Sequence, residues 1–447
     1  MDMFWLSFWI LLVICIVMYI YTRKVAEIPE SSAFKMFQKQ YLVVYLLAMG
    51  GDWLQGPYVY ALYQHYGMTT HQIDVLFVAG FGSSMIFGTF VGSSADKMGR
   101  RFTCIVYAVL YSLACITKHF PVFWILLVGR FLGGIATSIL FSAFESWLVC
   151  EYHKRDFGQD LLGELFSRAT LGNSLVAISA GHLAQVFADM YGFVAPFDVS
   201  MTVLVVMVLA ITLMWKENHG DAESTFSTNF KNALTITLKD PKIMMLGVVQ
   251  SFFEGSMYTF VLEWTPALTP QSSDVISKPT IPHGLIFASF MVAVMIGSSV
   301  FKLASRFFSI ESFMRFVLLT SASSLAIPVF FPENHLWILL GFFVFEVCVG
   351  IFWPSLGTMR SIYVPESVRS TVMNYFRIPL NLIVIVILLQ DLSLKTIFSC
   401  CVIFLLLATV AQHMLFRLVS KGETNAALPL YHEEGSDLIS KDEQNSD

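Results

Sequence analysis

Charged residues are scarce in this sequence. Of its 447 residues, 13% are Asp, Glu, Lys or Arg, about half of the roughly 25% typical of soluble globular domains. Hydrophobic residues make up 56% of the chain, and 41 of them are Phe. This composition excludes an ordinary water-soluble enzyme, and we expect a lipid bilayer, not a nucleic acid, as the main surroundings of the chain.

Sequence signals of catalysis and metal binding are also missing. The chain has no Walker A loop and no GxSxG elbow, which argues against an ATP-driven pump or an intramembrane hydrolase. Its seven cysteines are scattered and form no CxxC pair or Cys/His cluster with metal-ligand spacing. We therefore expect no enzymatic activity, no catalytic residue, no metal site and no cofactor.

Long apolar segments fill most of the chain. Each is about 20 residues long, as a helix needs to cross a hydrocarbon core about 30 Å thick. The segments are continuous instead of alternating, which favours helices over a β-barrel and predicts an all-α polytopic membrane protein. About thirteen spans are expected, near residues 4–22, 41–63, 72–95, 103–119, 122–149, 165–188, 194–215, 243–266, 283–304, 312–331, 335–357, 368–390 and 395–416.

The longest internal polar stretch divides the later twelve spans into two groups of six. We predict an extra N-terminal transmembrane helix and basic linker at 1–40, a six-helix bundle at 41–215, a cytoplasmic interdomain loop at 216–242 and a second six-helix bundle at 243–416. The acidic segment 417–447 cannot bury a core and is expected to be a disordered tail. A signal peptide is the alternative for the first span, but its start lacks a basic region.

Lys and Arg are abundant in every second loop. Arg23 and Lys24 follow the first span, whereas the loop from Tyr66 to His71 has neither residue type. The positive-inside rule then places the N-terminus outside and the C-terminus in the cytoplasm, and we expect the plasma membrane. The tail segment 434–439 resembles an acidic dileucine signal through Glu434, Leu438 and Ile439, which implies an endocytic adaptor and some endosomal population unless the match is accidental.

The two groups of six spans share local sequence. Residues 92–101 and 297–306 occupy corresponding places about 205 residues apart, and residues 166–168 match residues 375–377 at an offset of about 209. Two related halves with a site between them near the membrane midplane are one architecture of secondary transporters. The repeat therefore predicts two pseudo-symmetric six-helix bundles.

The first copy of this repeat carries a specific motif. It has the pattern G-x-x-x-D-[RK]-x-G-R-[RK] at every fixed position, including Gly92, Asp96, Gly99, Arg100 and Arg101. This pattern resembles the signature of the major facilitator superfamily and implies that superfamily's fold and its cytoplasmic gating latch. The second copy lacks the acid and one Arg of the motif. Whether this copy also forms a latch therefore stays open.

Further segments narrow the resemblance. Residues 52–58, 62–66, 140–147 and 374–380 are similar to the molybdate-anion transporter family, also called major facilitator superfamily domain-containing protein 5. The resemblance implies a secondary anion transporter that takes up molybdate by alternating access. A transporter of another oxyanion, a sugar or an organic amine, and a non-transporting sensor or scaffold on the same fold, stay open as alternatives.

Acidic residues inside the spans are candidates for proton coupling. A charge at the centre of a membrane costs about 2.5–3.5 kcal/mol on insertion scales, so it usually faces the bundle interior. Asp52 and Glu254 lie midway along corresponding spans of the two halves, and Glu145 lies in a polar stripe with Arg130. Structural ion pairs are the alternative role for all three carboxylates.

Arginine and asparagine residues are the candidates for substrate binding. An oxyanion such as molybdate has no hydrogen-bond donors and needs a pocket rich in them. Arg377, Asn374 and Asn381 share one face of a predicted helix, and Arg168 is the repeat-related partner of Arg377. We expect Arg377, Asn374 and Asn381 to hold the anion, with Arg168 or Arg130 on the opposite side. The alternative is that each Arg forms a structural ion pair with an acid.

Overall fold

The computed structural model describes residues 3–25, 30–158, 160–220, 226–269, 282–390 and 392–443. This part of the chain contains sixteen α-helices and two short 3-10 turns, at Gly56–Tyr58 and Glu366–Val368. The helices are α1 Met3–Val25, α2 Ser32–Trp53, α3 Val59–His65, α4 Thr70–Met98, α5 Arg100–Thr117, α6 Phe123–Leu140, α7 Ala143–Lys154, α8 Asp160–Tyr191, α9 Ala195–Met214, α10 Phe226–Lys239, α11 Pro241–Leu268, α12 His283–Phe307, α13 Ile310–Phe330, α14 His335–Tyr363, α15 Arg369–Leu388 and α16 Leu394–Glu443.

The helices have the length and apolar character of membrane spans. Within the described ranges, ten helices are long and apolar enough to cross a membrane. The number is eleven if α4, which is bent by 46°, is counted as a single span. The helices α2 and α11 are too polar to be counted by composition, and they carry the partly buried Asp52 and the buried Glu254. The chain is an all-helical, multi-pass membrane protein with about 10–12 spans.

Two predicted spans are interrupted. The span at 41–63 breaks after α2 at a 3-10 turn that contains Pro57, because proline cannot continue a helix and supplies no backbone donor. The span at 122–149 breaks between α6 and α7 at Phe141 and Ser142. Of the polar stripe on this span, Arg130, Gly134 and Glu145 line one cavity. Ser138 instead bonds to Ser84 on α4, with 2.8 Å between their hydroxyl oxygens.

The first and second groups of six spans have separate cores. In the first, Trp147 and Trp215 stack with ring centroids 3.7 Å apart and an angle of 5° between their planes. In the second, Phe253 and Phe352 stack with centroids 3.8 Å apart. Aromatic rings supply much of the buried area in each half, so each bundle packs as a unit of its own.

The halves meet chiefly along two helix pairs, α4 with α15 and α8 with α12. On the first pair, a Cβ built on Gly92 would lie 2.7 Å from the Ser370 carbonyl oxygen, so only glycine permits this approach. On the second pair, the Ser167 hydroxyl donates to the Ser298 carbonyl at 2.8 Å. These are corresponding pairs of the two repeats, as a pseudo-two-fold arrangement requires.

Helix α1 lies against the outside of the bundle. Its Cys15 is buried against Val292 and Ile296 of α12, and Ile178 of α8 packs nearby. Most of its other large apolar side chains, such as Trp9 and Val17, are about half exposed. A helix that is apolar all round but buried on one side only suits a lipid environment.

The polar stretch 216–242, predicted as a loop, contains the helix α10. Phe230 and Ala233, three residues apart, share the face of α10 that packs on the bundle; Ala233 is fully buried, and the Phe230 ring lies 5.4 Å from that of Tyr375. Because the stretch is polar on average, its composition does not reveal this short apolar face. Helix α16 continues to Glu443 and so includes most of the segment expected to be a disordered tail. The side chains of Glu434, Leu438 and Ile439 lie outside the described part of the structure.

Candidate functional site

A cavity of about 480 Å³ lies between the two halves. Eight charged side chains line it, together with aromatic rings such as Trp53 and Tyr258. The acids are Asp52, Glu145, Glu254 and Glu346, and the cations are Lys118, Arg130, Arg360 and Arg377. The cavity is therefore balanced in formal charge, and its chemistry depends on which of these groups neutralise each other.

Arg377 lies on α15 at the centre of this set. Its side chain is 4% exposed, and its Nη1 atom lies 3.8 Å from Oε2 of Glu254. Its guanidinium carbon lies 4.8 Å from the ring centroid of Phe141. The ion pair is longer than a hydrogen bond, so Arg377 and Glu254 share charge without the fixed geometry of a bidentate pair.

The structure separates the two asparagines predicted beside Arg377. Asn381 lines the cavity, and its amide nitrogen lies 3.5 Å from Ser84 Oγ of the other half. Asn374 does not line it. Its amide donates to the Ser370 carbonyl at 3.0 Å, and it packs against Gly88 and Gly92. Arg377 and Asn381 on α15 both line the cavity. Asn374 lies nearer the start of this helix, where α15 packs against α4 of the other half.

The two arginines expected opposite Arg377 also have different positions. Arg130 lines the cavity, with Nε donating to the Leu76 carbonyl at 3.2 Å. Arg168 lies elsewhere, paired with Glu30 at 2.5 Å and with Glu164 at 2.8 Å. The expectation that Arg168 faces the cavity is corrected, because sequence repetition gives equivalent positions on two helices and does not give equivalent neighbours.

The predicted acids all line the cavity, each with a different partner. Asp52 accepts a hydrogen bond of 2.5 Å from the Tyr111 hydroxyl. Glu145 forms an ion pair with Arg360 of the opposite half, and Arg360 also donates to Gln250 Oε1 at 3.0 Å. Arg360 is the main site residue that the sequence analysis missed. It lies beyond the predicted span 335–357, but α14 continues through it to Tyr363.

Contacts between the halves form the floor of the cavity. The rings of Phe141 and Trp353 stack across the interface with centroids 6.2 Å apart, and the Glu145–Arg360 pair lies on the same side. These contacts separate the cavity from the end of the molecule where α4 meets α5. The cavity is therefore closed at that end.

The motif at 92–101 forms a second barrier beyond this floor. Asp96 is fully buried and accepts hydrogen bonds from the Thr371 amide and hydroxyl, each at 3.0 Å, and from the Ser370 amide at 3.3 Å. A carboxylate at the first turn of α15 satisfies backbone donors and complements the helix dipole. Asp96 on one half therefore caps a helix of the other half.

The arginines of the motif have different roles. Arg100 lies 3.0 Å from Asp96 and pairs with Glu366 just before α15, so it crosses between the halves. Arg101 stays within the first half, and its side chain donates to the Thr212 carbonyl at 3.2 Å. Gly99 has φ +117°, and a Cβ built on it would lie 2.5 Å from the carboxyl carbon of Glu217. The Glu217 carboxylate accepts hydrogen bonds from the backbone amides of Arg101 and Phe102 in the first turn of α5.

The second copy of the motif forms a contact of its own. Lys302 of α12 lies 2.5 Å from Oε1 of Glu164 on α8. Where the first copy connects the halves through its acid and Arg100, this copy does so through its Lys, which pairs with an acid of the opposite half. Both repeats thus connect the halves at the same end, through chemistry that only the first copy shares with the signature.

Comparison with known proteins agrees with this architecture. A family model described as "sugar transporters, 12 TM" matches residues 3–336. The human organic anion transporter MFSD10 superposes with a TM-score of 0.65 at 12% identity, covering 85% of this chain and 99% of that one. A bacterial homologue of the iron transporter ferroportin gives a TM-score of 0.68 at 14% identity, covering 85% and 99%. These structures show the fold alone.

Sequence relatives define the family more closely. A protein of Xenopus tropicalis named molybdate-anion transporter is 33% identical over 418 residues, which cover 89% of this chain and 90% of the relative. A protein of the same name in Danio rerio is 31% identical over 425 residues, 85% of both chains. These matches confirm the resemblance found from the motifs. The chain is a secondary transporter, not an enzyme, and belongs to the molybdate-anion transporter family of the major facilitator superfamily.

Proposed function

We propose that this protein carries molybdate across the membrane into the cell by alternating access. The observation that carries the proposal is the position of Arg377 and Asn381, which supply buried donors to a cavity lined by both halves. Oxyanions are held in proteins by such donors, and the planar fork of Arg suits two anion oxygens at once. The names of the relatives support the same substrate.

Glu254 is the residue that would have to yield to the anion. It stands 3.8 Å from Arg377 and would repel a dianion at that site. Protonation of Glu254 would remove this repulsion and leave Arg377 as the charge that binds the anion. We propose Glu254 as the coupling site for a co-transported proton, with Asp52 and Glu145 as the other candidates. Asp52 is held by Tyr111 and Glu145 by Arg360.

The contacts at the closed end can distinguish the two states of alternating access. Asp96 and Arg100 hold the first residues of α15, and Lys302 holds Glu164. Opening that end would break these contacts and the Glu145–Arg360 pair together. We propose that the halves rock about the cavity as rigid bundles, with these contacts made in one state and broken in the other.

Transport by the purified full-length protein in liposomes tests the proposal. We expect molybdate uptake by the wild type, at least a tenfold loss in Arg377→Gln, and no loss in Arg306→Gln, a matched control at an exposed arginine of α12. We also expect Glu254→Gln to flatten the dependence of uptake on pH. Uptake by Arg377→Gln at the wild-type rate and affinity would refute the site.

A different small solute is the second candidate. The cavity is larger than a four-oxygen anion requires, and Trp53, Tyr258 and Trp353 line it, as aromatic rings line many sites for organic ligands. The family description names sugars. Competition of molybdate uptake by sulfate, tungstate and sugars separates these substrates. Absence of flux for every solute would favour a non-transporting sensor or scaffold.

The topology completes the proposal. We infer that α1 crosses the membrane as an additional N-terminal helix, since Met3–Lys24 has a mean hydropathy of 2.5. The loop charges then place the closed end of the cavity in the cytoplasm and the N-terminus outside. We propose the plasma membrane as the site of action, with an endosomal fraction if the 434–439 segment binds an endocytic adaptor.

A further inference from the structure

Two cations at the end of the cavity away from the floor have no acidic partner. Lys118 and Arg130 both line the cavity, and neither has a carboxylate within 4 Å in the part of the chain that the structure describes. Their position and environment differ from those of Arg360 and Arg377, each of which has an acid nearby. An unpaired charge in such a place needs an explanation.

Lys118 is the more unusual of the two. It follows the last residue of α5 and is 3% exposed. Its ammonium donates to the Tyr63 hydroxyl at 2.6 Å and lies 4.9 Å from the centroid of the same ring. One neutral hydroxyl satisfies one of three ammonium donors, so the buried charge is poorly compensated by the protein itself.

Arg130 lines the same cavity as Lys118 and adds to its positive potential. Its guanidinium lies over the Phe77 ring at 4.7 Å, and a Cβ built on Gly80 would come within 2.8 Å of its Nη2 atom. Glycine at position 80 thus leaves the space that the guanidinium occupies. Two cations that face one cavity repel each other, and an anion bound there would offset that repulsion.

The acids nearest in sequence and along the helix are otherwise engaged. Asp198 pairs with His119 at 2.9 Å, and both side chains are 44–48% exposed. Asp52 is bonded to Tyr111, which precedes Lys118 by seven residues, about 10 Å along α5. The cavity therefore has a zone, next to Lys118, where positive charge is in excess.

The order of residues along the helices places this zone at the outer end. Helix α5 begins at Arg100 in the closed latch and runs 18 residues, about 27 Å, before it reaches Lys118. Arg377 lies about 12 Å from the latch end of α15, since eight residues separate it from Arg369. From the end of the cavity opposite the latch, Lys118 and Arg130 therefore precede Arg377.

We propose that Lys118 and Arg130 form a second, outer anion subsite that captures a small oxyanion before it moves to Arg377. The proposal deepens the proposed function, because it assumes that the transported solute is an anion. The subsite holds its ligand through the Lys118 ammonium, which has donors to spare beyond its bond to Tyr63, and the Arg130 guanidinium. Two sites in series allow an anion to bind tightly enough to be captured and still pass on.

Equilibrium binding of molybdate to the purified full-length protein, measured by calorimetry, tests this subsite without requiring transport. We expect Arg377→Gln to retain molybdate binding and the double variant Lys118→Gln/Arg377→Gln to bind at least tenfold more weakly than Arg377→Gln. Lys395→Gln removes an exposed lysine at the same end of the molecule, at the start of α16, and should leave binding unchanged. Equal binding by the double variant and Arg377→Gln would overturn the proposal.

Two further variants separate anion binding from a purely structural role of Lys118. Lys118→Arg keeps the charge and Tyr63→Phe keeps the ammonium but removes its hydroxyl partner, so both should bind molybdate within about threefold of the wild type. If Lys118→Arg loses binding as completely as Lys118→Gln, the lysine acts through packing and the subsite is refuted. If Lys118→Gln weakens molybdate binding but no variant transports molybdate, the outer subsite stands and the proposed transport function fails.

Discussion

The ion pair between Glu145 and Arg360 offers a direct test of how the closed end is held. Glu145 belongs to α7 in the first half and Arg360 to α14 in the second, and their side chains are 16% and 4% exposed. The pair exists only while the halves are together at the floor of the cavity. Replacing Glu145 with Gln should therefore destabilise the closed state and leave each half folded.

The size of the effect follows from the surroundings of the pair. Removing one partner of a fully buried ion pair costs about 3–5 kcal/mol. Arg360 keeps its hydrogen bond to Gln250, and Glu145 faces a cavity, so we take about 2 kcal/mol as the loss. Since about 1.4 kcal/mol corresponds to a factor of ten, the ratio of closed to open protein should fall roughly 30-fold.

Distances between spin labels on the two halves measure this ratio. Lys154 on α7 and Arg306 on α12 are exposed, and a cysteine at each position gives a label pair that spans the halves near the closed end. Of the native cysteines, only Cys400 is not buried, so a Cys400→Ala background avoids stray labelling. Pulsed dipolar spectroscopy should then show the longer distance gaining population in Glu145→Gln.

A matched control and a charge reversal make the test decisive. Glu311→Gln removes another largely buried acid of the same end, but its partner, Tyr363, belongs to the same half, so the distances should not change. The double variant Glu145→Arg/Arg360→Glu should restore much of the closed population. An unchanged distribution in Glu145→Gln, or no recovery in the reversed pair, would refute the view that this contact holds the floor.

Three other predictions follow from close packing. Gly92→Ala places a Cβ 2.7 Å from the Ser370 carbonyl, so overpacking of about 1–3 kcal/mol should separate α4 from α15 and raise the same long label distance. Gly99→Ala combines φ +117° with a clash against Glu217, whereas Gly158→Ala has φ +85° and open space; the first should lower the thermal midpoint clearly more than the second, and equal shifts would disprove the clash. Trp147→Ala removes a buried ring that stacks on Trp215 and should cost about 3–5 kcal/mol, seen as a large fall in the melting temperature of the detergent-purified protein.

Local sequence was sufficient for the class of the molecule. The recurrence of apolar segments predicts a polytopic helical protein, because a bilayer accepts only backbone that is hydrogen-bonded within itself. The motif from Gly92 to Arg101 predicts the superfamily and the latch, and its acid does cap a helix of the other half. The midspan acids Asp52 and Glu254 also line the cavity as expected, since a charge inside a span has few other places to lie.

The residues that the sequence misplaces are those whose role depends on a neighbour from the other half or from a distant helix. Asn374 and Asn381 are alike in the sequence, but Asn374 lies where α4 and α15 pack closely, whereas Asn381 lines the cavity. Arg168 matches Arg377 in the repeat, but it forms ion pairs with Glu30 and Glu164 away from the cavity. Repetition copies helices, and the charges around them are set by loops and partners that are not copied.

Hydropathy and motif together therefore determined that this chain spans the membrane as two related bundles of one transporter family. Only the tertiary structure decided which charges line the cavity and which are neutralised. Arg360 lies beyond the predicted span 335–357 and Lys118 at the end of the predicted span 103–119, yet both are buried cavity residues. The physical reason is that hydropathy depends on residues adjacent in the chain, whereas the field at a site depends on side chains that tertiary packing brings within a few ångströms.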